Sequence, residues 1–457
     1  MPTQRKTINH VLLLMTIATV TALLVMGFVA SAQQTTPSTI NLYEVTPTEA
    51  VQYFTSGRID IYLNPFALPT NVLTQLSSTS GIQMVSPSIT SAFDLLFNPA
   101  PSNTTFNPPF AYWQFRYLMN YIADRHGIIT QLFSGYATPI YNWPGPYAIN
   151  SQLLVQSMII QANIHYDPTY ANQSIFALFQ AINTTPNFDG MYNPWVGRIL
   201  YINHQWYYIP LNSTTPKPVT IIFFIRNDDP YRYAIGQFFM SELQSIGFTV
   251  KPIYGDLSEA LTIVYGSNPT QLEWQIYTEA WTITPETWDT LAGAAFCASW
   301  YGYMPGWGGV PGFWQYTNST IDKLSRWVTE SNFTSAQQFD SYSETALYDC
   351  FQQAVRVWLV AAIYPYPIQN LTNYMPSIFG LEWPLGIKFA YSTTHPPNTL
   401  NVGMFHVSEF PWNTFGWYIE LDTYSSDVIQ EFTSDPFYYY NPLTTEPMPI
   451  GGVLGMR

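Results

Sequence analysis

Apolar and polar positions along the chain recur with two periods, and the switches between them mark the expected elements. Ile40 to Val45 reads as a strand. Thr46, Pro47 and Glu49 follow as N-cap, first-turn proline and capping-box acid, so a helix is expected to about Ser56, ended by Gly57. Arg58 to Leu63 returns to strand and completes a small β–α–β unit. Phe93 to Asn98 predicts another strand. From Pro108 to Pro146 two short helices are expected. Phe115, Leu118, Met119 and Ile122 recur at helical spacing, and Gly127 ends that pattern just after Arg125 and His126. Asp167 to Thr185 predicts a capped helix, and Phe188 to Pro210 a hairpin. A second β–α–β unit comprises a strand over Val219–Arg226, a helix over Tyr231–Ile246 stopped by Gly247, and a strand over Phe248–Tyr254. Ile235, Phe238, Phe239, Leu243 and Ile246 share one face of that helix. Trp274 to Trp281 alternates like a strand, and Trp300 to Trp314 is a Gly/Pro/aromatic loop. Phe339 to Leu359 reads as the longest helix, with Phe339, Tyr342, Leu347, Phe351, Ala354 and Trp358 as its apolar positions.

Composition narrows what such a chain does. Its 457 residues are enough for two or more lobes. Residues 1–32 stand apart: Arg5 and Lys6 precede an apolar run from Val11 to Ala30, and Ala30-Ser31-Ala32 fits a cleavage site before Gln33. This predicts an export signal, with an uncleaved anchor as the alternative. Either way the remainder is expected outside the cytoplasm, at the cell surface. The formal net charge of −14 leaves no basic footprint for nucleic acid. Charged residues make up 10% and aromatics 17%, which provides rings for a core or for stacking platforms. Asn-x-Ser/Thr sequons start at Asn103, Asn172, Asn183, Asn212, Asn318, Asn332 and Asn370, candidate glycosylation sites in an exported chain. Cys297 and Cys350 are the only cysteines. Outside the cell they are expected to form one disulfide, with two buried thiols as the alternative.

No catalytic or metal motif emerges. His10, His126, His165, His204, His395 and His406 show no metal-ligand spacing, and there is no phosphate-cradling glycine loop and no nucleophile elbow. Neither a cofactor nor a reaction is implied. Acid pairs such as Glu279 and Glu286 would matter for a glycosidase only if they faced each other across a pocket.

Several segments carry a resemblance. Pro109-Phe110, Arg116, Asp124-Arg125 and Gly135 to Pro139 follow the order of a Pro-Phe entry, an Arg-bearing helix, an Asp-Arg pair and a Gly-x-Ala-x-Pro exit. This order resembles the extracellular solute-binding proteins of ABC transporters, in the oligopeptide/dipeptide-binding family, family 5. The helix–Gly–strand segment around Asp60, the unit from Leu243 to Val250 and the segment Gln315–Trp327 resemble further parts of the same family. The resemblance implies an α/β, two-lobed periplasmic-binding-protein-like fold of the large peptide-binding class. It places residues 33–85 in the first lobe with its crossover, 86–375 in a ligand-binding second lobe, and 376–457 in a return to the first. Thr399–Phe405 and Tyr424–Ile450 resemble what usually opens a mature family member, so the order looks permuted. The segment that usually follows has no counterpart, and the first lobe is expected to be incomplete.

By the same resemblance Trp274–Trp281 is the strand that points into the cleft. Trp281, Glu279, Trp288, Tyr303, Trp307 and Trp314 are the candidate ligand contacts. Peptide-binding relatives often carry an Asp three residues after the cleft Trp, to meet the ligand's α-amine. Thr284 stands there in this chain, which favours oligosaccharides over free-amine peptides unless Glu279 or Glu286 substitutes for that Asp. The implied partners are a membrane permease and a small peptide or oligosaccharide. A structural or adhesive surface glycoprotein, and less so a secreted glycosidase, are the rival readings.

Overall fold

The computed structural model describes residues 37–64, 68–86, 91–101, 108–142, 163–185, 188, 198–209, 213–282, 318–375, 381, 386–396, 399–407, 420–433, 438–440 and 447–449. In chain order the strands begin with β1 (Thr39–Glu44), β2 (Ile61–Leu63), β3 (Ile82–Val85), β4 (Ser91–Phe97) and β5 (Ala137–Pro139). They continue with β6 (Ile199–Ile202), β7 (Gln205–Tyr208), β8 (Lys217–Pro218), β9 (Thr220–Arg226), β10 (Thr249–Gly255) and β11 (Ile276–Thr282). The last are β12 (Arg356–Ala362), β13 (Tyr366–Gln369), β14 (Leu371–Thr372), β15 (Tyr391–Ser392), β16 (Thr399–Met404), β17 (Tyr438–Tyr440) and β18 (Pro447–Pro449).

Two sheets dominate. A five-stranded sheet has the order β1-β16-β2-β13-β3, and a six-stranded sheet the order β10-β9-β11-β4-β12-β5. The chain passes between them at two places, from Val85 to Ser91 and from Ala362 to Tyr366. Val85 pairs with Tyr366 in one sheet and Ser91 with Ala362 in the other, so the two passages begin and end on paired residues. In the first sheet β1, β16 and β2 are parallel, and in the second β10, β9 and β11 are parallel. The carboxyl ends of all six point toward the passages. This is the end of an α/β sheet where ligands bind. The second passage delivers the chain to the first sheet at Tyr366, ahead of the expected return at residue 376.

Local signals explain many of the elements. The capping box forms as expected, with Thr46 and Glu49 capping the helix Pro47–Thr55. Asp167, Asp229, Asn318 and Ser335 cap the helices Pro168–Thr184, Pro230–Ser245, Ser319–Thr329 and Ala336–Gln353. Two expectations need correction. Gly127 does not end a helix; it lies in the first turn of Arg125–Gln131, where Asp124 accepts its N–H at 2.8 Å. The helix expected over Phe339–Leu359 stops at Gln353. Ala354 there takes a left-handed conformation, φ 45°, and the β-branched run after it is the buried strand β12.

The six-stranded sheet has two unlike faces. On one, Phe93, Leu95, Phe97, Val357 and Leu359 join a large core with helix residues such as Phe115, Phe179 and Phe239. On the other, Leu96, Phe224, Tyr277 and Trp274 pack with Ala260 and Val264, and the same face carries Asp94, Glu279 and Trp281.

Candidate functional site

Strand alternation puts Trp281, Glu279 and Tyr277 on one face of β11, and the register sets Glu279 opposite Asp94 and Trp281 opposite Ala92 of β4. Trp281 therefore stands at the carboxyl end of β11, beside the passage that enters at Ser91. The Ser91 hydroxyl donates to the Trp281 carbonyl at 3.2 Å. The indole is half-buried, and the Arg356 guanidinium lies 5.5 Å from its ring centroid.

Beneath that ring is a buried charge cluster. Glu279 is 3% exposed, receives Arg356 Nε at 2.7 Å on one oxygen, and receives the Tyr265 hydroxyl at 2.7 Å on the other. Asp94 is 1% exposed and lies 3.6 Å from the same Arg356 Nε. Burial, reinforced by the neighbouring Glu279, pushes the Asp94 carboxyl well above the usual carboxylate range despite Arg356. Burial and the same Glu279 push the Tyr265 hydroxyl up as well, so it stays a donor. The cluster thus sets one guanidinium between two acids, and burial favours the neutral form of Asp94.

At the same end of the sheet, Arg226 donates to both oxygens of Asp228, at 2.6 and 2.7 Å, and to the Tyr277 hydroxyl at 3.0 Å. Burial pushes Asp228 up, but this bidentate pairing outweighs it and holds the carboxyl below its ordinary value. Asp229 caps the helix Pro230–Ser245 and pairs with Arg232 at 3.2 Å.

Among the expected ligand contacts, Trp281 lies at the sheet end and Glu279 is enclosed by Arg356 and Tyr265. Trp288, Tyr303, Trp307, Trp314 and Thr284 lie outside the described residues. Cys350 is disulfide-bonded; Cys297 lies outside the described residues. Asn332 and Asn370 are exposed, whereas the Asn183 amide both donates to and accepts from the Ile199 backbone, at 3.1 Å each. Asn318 caps a helix, Asn172 is half-buried on Pro168–Thr184, and Asn103 and Asn212 lie outside the described residues. The signal expected over 1–32 does too. Among the described residues no helix is long and apolar enough to cross a membrane, and no group of His, Cys, Asp and Glu is placed to hold a metal ion. Asp94 and Glu279 face each other but are buried side by side within the sheet, which leaves no room for a glycosidic bond between them. Glu286 lies outside the described residues.

Arg116 and Arg125 are packing residues. Arg116 donates to the Phe110, Ala111 and Gln353 carbonyls. Arg125 donates to the Trp358, Ile140 and Asn120 carbonyls, and burial pulls it down to about 10. Asp60 accepts from Ser392 Oγ at 2.6 Å and Asn401 N–H at 2.9 Å, tying β2 to β16. Sequence reasoning missed Asp94 and Arg356. The usable signal was a single charge in each of two otherwise apolar runs, SAFDLLF and RVWLVAA, since a charge buried there needs a partner.

Two lobes joined by paired crossings, with parallel strands converging on them, define the two-lobed binding-protein fold. The sequence matches the family model of bacterial extracellular solute-binding proteins, family 5, middle region, over residues 31–302. That is more than half of the chain, and the protein belongs to this family. Among solved structures it is similar to a putative peptide-binding protein, AppA, from Clostridium difficile, with 13% identity and TM-score 0.52, covering 76% of this chain and 59% of that one. HbpA2 from Haemophilus parasuis gives 12% identity and TM-score 0.51, covering 76% and 57%. The periplasmic binding protein MelB from Agrobacterium fabrum C58, solved in complex with stachyose, gives 11% identity and TM-score 0.51, covering 74% and 48%. At these identities the likeness is one of fold. The chain spans less than two thirds of the length of each of these structures. No curated protein matches the sequence.

Proposed function

We propose that this protein is the extracellular substrate-binding component of an ABC importer. It captures an oligosaccharide or oligopeptide between its two lobes and delivers it to a membrane permease. The observation that carries this reading is the placement of Trp281. A half-buried indole stands where parallel strands end beside the paired crossings, held from below by the Glu279–Arg356 pair. A ring fixed in this way suits the apolar face of a sugar or a peptide side chain.

Neutral oligosaccharides fit better than free-amine peptides. Both Glu279 oxygens are already engaged by Arg356 and Tyr265, and Asp94 is buried with its neutral form favoured. Neither acid meets a ligand ammonium, and Thr284 stands where peptide-binding relatives often carry an Asp. In this reading Glu279 supports the ring of Trp281, and Trp288, Tyr303, Trp307 and Trp314 are the further aromatic contacts. Cys297 and Cys350 form one disulfide, and residues 1–32 direct export.

A thermal-shift screen against malto- and cello-oligosaccharides and short peptides tests the proposal, with Trp281→Ala as control. Stabilisation by one class, lost in the variant, is the expected result. Silence from every probe would favour the rival reading, a structural surface glycoprotein.

A further inference from the structure

The lobes touch at a second place, away from the crossings. The Tyr231 hydroxyl, in the first turn of Pro230–Ser245, donates to the Leu68 carbonyl of the first lobe at 3.2 Å. The Thr70 hydroxyl, at the start of Thr70–Ser78, lies 3.0 Å from the Ser134 hydroxyl of the second lobe. Ser134 reaches it from a left-handed turn, φ 53°. The Tyr231 ring is stacked on Phe133, with centroids 4.7 Å apart, and both rings pack beside Phe93. Burial and Asp229 push the Tyr231 hydroxyl up to about 12, so it remains a donor at neutral pH.

The side on which this contact lies is fixed by strand alternation. Phe93 points to one face of β4, and Asp94 to the other. Trp281 shares the Asp94 face, because Glu279 pairs with Asp94 and lies two residues before it. The Tyr231–Leu68 and Thr70–Ser134 bonds therefore lie on the opposite side of the crossings from Trp281. Rotation that closes the lobes over Trp281 about those crossings must separate the surfaces behind them.

We propose that Tyr231, Leu68, Thr70 and Ser134 form a brace behind the crossings that holds the ligand-free protein open and thereby sets its affinity. This rests on the reading that ligand is enclosed on the Trp281 side. The second passage anchors the brace at both ends: Tyr364 is buried with the second lobe's core, and Tyr366 with the first lobe's. A closing rotation is thus concentrated near Pro365. A ligand that stabilises the closed form must first break both bonds, and its apparent affinity falls by the fraction of molecules that are closed. One neutral hydrogen bond is worth about a three- to tenfold shift in that equilibrium.

The test uses Tyr231→Phe, which keeps the stacked ring, Thr70→Val, which keeps the shape, and the double variant. Single-molecule energy transfer between dyes on the two lobes reads the closed fraction without ligand. Titration with maltohexaose and cellopentaose reads affinity. The brace predicts that each single variant raises the ligand-free closed fraction about three- to tenfold, and that the double variant exceeds either. Any sugar bound by wild type is then bound more tightly by the same factor. A closed fraction unchanged or lowered in all three variants overturns the brace, even if their thermal stability falls. If neither sugar binds but the variants still close, the brace stands and the oligosaccharide reading fails.

Discussion

Replacing Arg356 with methionine tests whether the cluster under Trp281 is a matched set of charges. Methionine keeps much of the apolar stem and removes the guanidinium. Arg356 lies 2.7 Å from Glu279 and 3.6 Å from Asp94, with its side chain 4% exposed. Attraction between unit charges about 4 Å apart is about 4 kcal/mol at an effective dielectric of about 20. Breaking one partner out of a buried pair costs about 3–5 kcal/mol, because the other charge stays behind unmatched. Burial favours the neutral form of Asp94, so the 2.7 Å contact with Glu279 dominates the loss. Urea unfolding followed by circular dichroism, in R356M, E279Q and the double variant, measures it. R356M should lose about 3–5 kcal/mol, and the double variant should lose less than the sum of the singles by at least about 2 kcal/mol. A loss within about 1 kcal/mol, or strict additivity, would refute the pairing.

Further outcomes follow from single residues. The folded-state pKa of Asp94 is raised, so its contribution is full below the unfolded carboxyl value of about 4 and is lost as pH climbs through the raised value. Wild type should therefore lose stability relative to D94N as pH rises above about 4, and a flat difference in urea midpoints would contradict the raised carboxyl. Gly236→Ala places a Cβ 2.5 Å from Ile225 Cγ2, and should cost about 1–3 kcal/mol by thermal unfolding. Ser331→Gly should stabilise by about 0.5–1 kcal/mol, since Ser331 is exposed at φ 56° where it donates back to Val328 beyond the helix Ser319–Thr329; an unchanged melting temperature would count against it. Peptide mapping after secretion from a glycosylating host should find sugar on Asn332 and Asn370 and none on Asn183, whose amide is engaged by Ile199.

What was legible in the sequence was local. The Thr46–Glu49 box and the helix over 230–245 with Gly247 at φ 96° rest on residues within a turn or two of each other. The end of the helix at Ala354 was not legible. An alanine in the left-handed conformation carries no mark, and the apolar spacing runs on through Trp358. Strand order was equally hidden. Thr399–Met404 lies between β1 and β2, which are more than 300 residues earlier, and only tertiary packing decides that neighbour. At the site, Trp281 and Glu279 were visible as alternating positions of one strand. Their partners Arg356 and Asp94 were not, because they come from strands whose adjacency the sequence does not state.

The unlike faces of β4 give the second lobe two tasks on one element. Phe93 and its neighbours weld the helices to the sheet by burial alone, which fixes the lobe as a body but no single ring's direction. Asp94 faces a set of directional bonds instead. Glu279 cannot turn without giving up a 2.7 Å bond at each oxygen, and it lies two residues before Trp281 on the same face. The strand that presents the indole is therefore held from below by geometry as well as by packing, and the Ser91 bond fixes its carbonyl where the chain enters the lobe. If Trp281 is the ligand platform proposed above, an indole held this way would lose little freedom on binding. This explains why charges are kept in a sheet interior where apolar side chains would be as stable.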